Sequence, residues 1–322
     1  MPNWIKSRLA AIVLCALAAS ANAFELQGHR GARGLLPENT LAAFERTLDI
    51  GVTTLELDIA ITADGVPVIS HDTALNPALT RDAQGQWISA PGPLIKSLTL
   101  AQLQTYDVGR LNPASAYARD FPLQQPQDGQ RVPTLAALFD LVKARGADNV
   151  QFAIETKIHP DRASETVGPQ EFVDVLLKVI REAGMAQRVR IISFDWRTLQ
   201  LVQKQQPGME TVCITVETRN GSNARHPVMT GGLLWRDFAS IAHMVKASGG
   251  KVWSPNFESI DAAKVKAAQQ LGLKVIPWTI NEAADMDRLI GWGVDGIISD
   301  YPDRVREAMA RAGLALPTPV KR

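Results

Sequence analysis

The first residues whose spacing implies chemistry are two carboxylates in Leu55-Glu56-Leu57-Asp58-Ile59. A strand's two-residue period puts Leu55, Leu57 and Ile59 on one face and Glu56 and Asp58 together on the other. On an edge strand the acids would mark the wet face; in a strand buried on both sides they repel each other and require a cation. The run Phe152-Ala153-Ile154-Glu155-Thr156-Lys157 repeats the pattern and adds a third acid and a lysine on the face of Ala153. Oxygen donors with no thiolate or histidine cluster beside them suit one hard divalent cation, Ca²⁺ or Mg²⁺, better than zinc.

Two histidines complete the set. His29 and Arg30 end an apolar run in Gly28-His29-Arg30-Gly31, and His71 with Asp72 ends another. Imidazoles titrate near neutral pH and are natural acid–base candidates. His159 in a Pro-flanked loop, His226 in a polar loop and His243 on a helical stretch lack such neighbours.

These residues need a scaffold that brings strand ends together. Eight strand-like runs recur: Glu25–His29, Thr54–Ile61, Val150–Lys157, Val189–Phe194, Thr211–Val216, Val252–Pro255, Val275–Thr279 and Gly296–Ser299. Most gaps between them carry a helical period, as in Leu41, Phe44 and Leu48, with Asn39 or Thr40 as N-cap and Gly51 as stop. Strand–helix alternation implies an α/β fold with parallel pairing. Val66–Ser70 follows Asp64-Gly65, a hairpin signal, and is expected to be an antiparallel outgrowth. Residues 74–130, rich in proline and glycine, break the rhythm and read as a small inserted subdomain. Without this insert and Met1–Ala23, 242 residues remain, close to the roughly 250 of a (β/α)8 TIM barrel. A doubly wound sheet is the alternative, but the glycine-rich phosphate fingerprint after its first strand is missing.

Composition narrows the class further. The chain has 322 residues, 46% hydrophobic and 21% charged, with a formal charge of +1, which favours neither nucleic acid nor an anionic surface. Lys6 and Arg8, the apolar run Leu9–Ala19 and Ala21-Asn22-Ala23 read as a signal peptide cut after Ala23. The run is about half the roughly 20 residues of a membrane span. The expected location is periplasmic or secreted, with no stable membrane insertion after cleavage. The cut removes Cys15 and leaves Cys213 without a disulfide partner. The tail from Pro317 to Arg322 reads as disordered.

Taken in order, His29-Arg30-Gly31, Pro37-Glu38-Asn39-Thr40, Glu56-Leu57-Asp58, Asp64-Gly65, His71-Asp72, Glu155-x-Lys157, Trp278-Thr279-Ile280-Asn281 and Ser299-Asp300-x-Pro302 resemble the glycerophosphodiester phosphodiesterase family. The resemblance runs from about Gly28 to Pro302. It departs at Ile280, where valine is usual, and at Ser299, where threonine is common. It implies a (β/α) barrel with Glu56, Asp58 and Glu155 on Ca²⁺ or Mg²⁺, His29 and His71 as acid–base pair, and Arg30 and Lys157 on the phosphate. Trp278 is a candidate to pack on the glycerol carbons. Asn39 is open between helix cap and site support, and Asp300 is expected to organise Arg30 or Lys157. The implied substrate is a small glycerophosphodiester. A barrel phospholipase would want more exposed apolar loops than this insert offers, and a non-catalytic exported binding protein would not need every histidine and acid.

Overall fold

The computed structural model describes residues 24–219 and 221–321. Met1–Ala23, with the export signal read there, lies outside the described residues, as do Asn220 and Arg322.

Strands and helices alternate along the chain. β1 (Glu25–Gly28), α1 (Leu41–Ile50), β2 (Thr54–Ile61) and a short β3 (Pro67–Ile69) come first, followed by α2 (Leu100–Leu103), α3 (Ala116–Asp120) and α4 (Leu135–Ala144). Next are β4 (Gln151–Thr156), α5 (Pro169–Glu182), β5 (Val189–Ser193), α6 (Trp196–Gln205) and β6 (Thr211–Thr215). A small hairpin, β7 (Glu217–Thr218) with β8 (Gly221–Ser222), precedes α7 (Ile241–Ala247) and β9 (Val252–Pro255). The chain ends with α8 (Ala262–Gln270), β10 (Lys274–Val275), α9 (Ala283–Gly291), β11 (Gly296–Ser299) and α10 (Pro302–Arg311).

The parallel strands follow the order β10-β9-β6-β5-β4-β2-β1-β11. Backbone bonds join the two ends of that order: Asp295 N to Val275 O at 2.9 Å, Ile298 N to Pro277 O at 3.1 Å and Ile280 N to Ile298 O at 3.0 Å. This closure makes a (β/α)8 barrel and rules out the open doubly wound sheet. The seventh barrel strand, expected over Val275–Thr279, is regular only at Lys274–Val275. Pro277 has no N–H for the ladder, so the closing bonds around it are irregular.

The alternation read from sequence now has two sides. Leu55, Leu57 and Ile59 are fully buried with Phe44 and Leu48 of α1 and Leu138 and Phe139 of α4, between strands and helices. Each such side chain contributes roughly 1.5–3 kcal/mol of apolar burial. A separate cluster, Ala153, Ile192, Val212, Ile214, Val252, Ile276 and Ile298, gathers alternate strand residues inside the barrel. α1 starts at Thr40, whose hydroxyl accepts from Ala43 N, and stops at Gly51, which holds a φ of 88°.

β3 pairs antiparallel with β2, Ile59 opposite Ile69, as the hairpin signal implied. The segment that follows packs on it through Ala60, Val68, Leu75, Ile95, Leu103 and Val132. The C-terminal tail departs from expectation. Val320 N donates to Leu48 O at 3.0 Å, Val320 O accepts from Arg145 and Pro317 O accepts from Arg306. The tail reads as disordered in the sequence, but its backbone groups find partners on α1, α10 and the residue that ends α4. Among the described residues no helix is long and apolar enough to cross a membrane.

Candidate active site

Parallel pairing puts Asp58 in register with Glu155, and Glu56 lies two residues earlier on the same face of β2. Glu56, Asp58 and Glu155 are all buried, and each offers a carboxylate oxygen within 4.8 Å of the others. Burial, Asp58 and Glu155 push the Glu56 carboxyl up well above its ordinary range. Burial likewise raises Glu155, only partly offset by Lys157. Asp58 is the exception: against the cost of burial, Lys157 and Arg30 hold it well below the usual range. Asp58 Oδ1 is nevertheless buried without a hydrogen bond, its near cation Lys157 Nζ standing at 3.6 Å. Three mutually repelling acids and an unpartnered oxygen fit a hard divalent cation.

His29 sits just past the end of β1. Because Gly28 pairs with Ser299, the next residue on each strand also meets, and His29 Nδ1 lies 2.6 Å from Asp300 Oδ1. The carboxylate holds the Nδ1 proton and leaves Nε2 free for the cavity. Burial and the Arg33 guanidinium lower the His29 pKa to about 4 against the pull of Asp300. The ring is therefore neutral, and its 3.8 Å approach to Glu56 is no ion pair in that state. His71 Nδ1 lies 2.9 Å from Asp72 Oδ1, and Asn76 donates to the other oxygen at 2.7 Å. Each candidate histidine thus has a carboxylate behind it.

The loop after β1 carries the arginines. Arg30 adopts φ 50° and Asn39 φ 55°, a left-handed region that costs non-glycine residues of order 1–3 kcal/mol. Both are tied in place: Asn39 N donates to Arg30 O at 2.9 Å, and Arg30 N donates to Glu56 Oε2 at 2.9 Å. Arg30 Nη1 donates to Glu38 at 2.8 Å, and its Nε lies 3.3 Å from Asp58. Lys157 donates to Glu155 at 2.7 Å. Asn39 Nδ2 donates to Asp58 Oδ2 at 3.0 Å, so Asn39 supports an acid while Thr40 caps α1.

Asp300 requires a correction. It does not organise Arg30 or Lys157; it binds His29, takes two hydrogen bonds from Arg33 at 2.8 and 3.0 Å, and accepts from Asn281 at 2.7 Å. Barrel closure sets β11 beside β1, whereas Lys157 follows β4, two strands away from β1. Sequence reading also missed Arg33, Glu38, Tyr117 and Phe194. Arg33 and Glu38 share the loop of Arg30, which was a usable signal; Tyr117 reaches the site from α3 with no local pattern to mark it.

A cavity of about 250 Å³ collects His29, Arg30, Arg33, Glu56, His71, Glu155, Lys157, Phe194 and Trp278 at the C-terminal mouth of the barrel, the end at which such barrels place their chemistry. Trp278 Nε1 donates to Ser254 O at 3.0 Å, and its ring meets Phe194 edge-on at 5.4 Å. A cleft of about 1010 Å³ adjoins the cavity through His71, Glu155, Lys157 and Phe194. His159 and His226 line that cleft, whereas His243 is exposed on α7 beside Ser240.

Carboxylate-held imidazoles stand beside fixed positive charge at the mouth of a closed parallel barrel, an arrangement suited to acid–base chemistry on an anionic substrate. The model of the glycerophosphoryl diester phosphodiesterase family matches residues 29–304, and the chain belongs to that family. It is 30% identical over 280 residues to a Bacillus subtilis glycerophosphodiester phosphodiesterase, covering 85% of this chain and 83% of that protein. A solved Silicibacter pomeroyi protein described as a glycerophosphoryl diester phosphodiesterase is 35% identical, with a TM-score of 0.82 and coverage of 92% of this chain and 96% of that one. An Oleispira antarctica phosphodiesterase in complex with the product sn-glycerol-3-phosphate shares the fold at 20% identity and a TM-score of 0.67, over 89% of this chain and 96% of that one.

Proposed function

We propose that this phosphodiesterase hydrolyses glycerophosphodiesters such as glycerophosphocholine and glycerophosphoethanolamine to sn-glycerol 3-phosphate and an alcohol, with one Ca²⁺ or Mg²⁺ on Glu56, Asp58 and Glu155. The observation that carries this reading is the convergence of Glu56, Glu155, His29, His71, Arg30 and Lys157 on one cavity, with Asp58 offering an oxygen within 4.8 Å of both acids.

The diester carries one negative charge, and more builds on its oxygens during attack. Arg30 and Lys157 meet that charge as fixed cations in a largely buried site. One of His29 and His71 takes the proton of the attacking hydroxyl, from water or the glycerol 2-hydroxyl, and the other gives a proton to the departing oxygen. General acid–base catalysis supplies roughly 10²- to 10⁴-fold, so most of the remaining acceleration falls to charge stabilisation. When bound, the divalent ion supplies Lewis-acid polarisation of the phosphate oxygens. Trp278 packs on the glycerol carbons, and the adjoining cleft receives the leaving alcohol.

Export belongs to the same proposal: Met1–Ala23 directs the chain out of the cytoplasm and is removed. N-terminal sequencing of the extracytoplasmic protein should begin at Phe24. The activity itself is tested by following glycerol 3-phosphate release from glycerophosphocholine with Ca²⁺ or Mg²⁺ and then with excess chelator. Release with an ion and none with chelator supports the reading. No release with either ion across several head groups overturns it.

A further inference from the structure

α3 of the insert lies against the loop between β1 and α1 and joins its two arginines. The Tyr117 hydroxyl donates to Glu38 Oε2, the carboxylate whose other oxygen accepts from Arg30 at 2.8 Å. The same phenol oxygen accepts from Arg33 Nη1 at 2.9 Å, and Arg33 in turn grips Asp300, the partner of His29. Phe121 closes the arrangement from below, its ring 4.7 Å from the Arg33 guanidinium and edge-on to Tyr117 at 5.1 Å. The loop's backbone is held from the insert as well, with Gln124 donating to Arg33 O at 2.7 Å and Gln125 N to Leu35 O at 2.8 Å.

We propose that Tyr117, supplied by the inserted subdomain, is a positioning residue for the reaction: it holds Arg30 through Glu38 and His29 through Arg33 and Asp300. The insert is then a working part of the active site. Glu38 is buried, and a buried carboxylate oxygen left without its donor bears the cost of its desolvation, which favours a shift of the carboxylate onto the donors that remain. Without the phenol, Glu38 draws Arg30 off its line to the phosphate, and Arg33 loses the contact that fixes its angle to Asp300. This inference rests on the reading that Arg30 and His29 act on the phosphodiester.

The test is Tyr117→Phe, which deletes the hydroxyl and keeps the ring on Phe121. Its kcat for glycerophosphocholine should fall about tenfold with KM little changed, because charge on the phosphate oxygens grows only as attack proceeds. Glu38→Gln should show a similar fall, and the double variant should lose little more than either single one, the mark of residues acting in series. Arg119→Ala, an exposed change on the same short helix, should leave kcat as it was. Wild-type kinetics in Tyr117→Phe, or losses that multiply in the double variant, would overturn the proposal. If Tyr117→Phe does not fold, Glu38→Gln decides alone, and unchanged kcat there overturns it equally. Failure of the underlying reading shows separately, as full kcat in Arg30→Ala and His29→Ala with Tyr117 intact.

Discussion

Nδ1 of His29 lies 2.6 Å from Oδ1 of Asp300, across the join between the first and last strands of the barrel. A carboxylate at Nδ1 fixes both the tautomer and the angle of the ring. Asp300→Asn offers Nδ1 an amide that can present its own N–H and so favour the wrong tautomer. We expect kcat to fall by about 10²- to 10⁴-fold in a protein that keeps its circular dichroism spectrum. An unchanged kcat would remove Asp300 from the working site.

Replacing His29 or His71 with Ala should each lower turnover by at least about 10²-fold. Calorimetric titration with Ca²⁺ should still show binding, because neither ring belongs to the carboxylate triad. Near-normal turnover in both variants would end the acid–base assignment.

The repulsion among Glu56, Asp58 and Glu155 gives ion binding a signature that does not depend on turnover. Ion at a hundredfold excess over its Kd stabilises the fold by about 2.7 kcal/mol, a rise in Tm of about 5 °C for a domain of this size, reversed by chelator. Glu56→Gln should abolish the rise while melting, ion-free, no lower than the wild type, since it relieves a buried repulsion. A full ion-induced shift in that variant would take Glu56 out of the ion site.

Burial pushes the Cys213 thiol up to about 12. A raised pKa disfavours the thiolate in the folded protein, so between about 8.5, the ordinary thiol value, and 12 the unfolded chain has released a proton that the fold retains. Stability contributed by this group is complete below that window and is lost as pH rises through it. At pH 8 iodoacetamide should leave Cys213 unmodified in the native protein and label it fully in guanidinium, as read by peptide mass spectrometry. Rapid labelling of the native protein would contradict the burial.

The acids were legible in the sequence because a strand's period is local: Glu56 and Asp58 share a face whatever the rest of the chain does, and Glu155 repeats the pattern. His29 and His71 were legible as strand ends. Asp300 was placed in the site but given the wrong partners, since only barrel closure, which is topology, sets it beside His29. Tyr117 was beyond reach. It lies 84 residues from Arg33, in a segment without periodicity, and its role depends on how that segment folds back. The tail misled for a related reason: composition does not reveal that Leu48 and Arg145 offer partners to Val320.

The imidazole that follows the first strand takes its carboxylate partner from the end of the last. A chain emerging from the ribosome therefore holds His29 long before it holds Asp300. No N-terminal fragment ending before Asp300 can assemble the pair. The order of the strands thus makes the His29–Asp300 pair a property of the closed barrel and of no shorter piece of it.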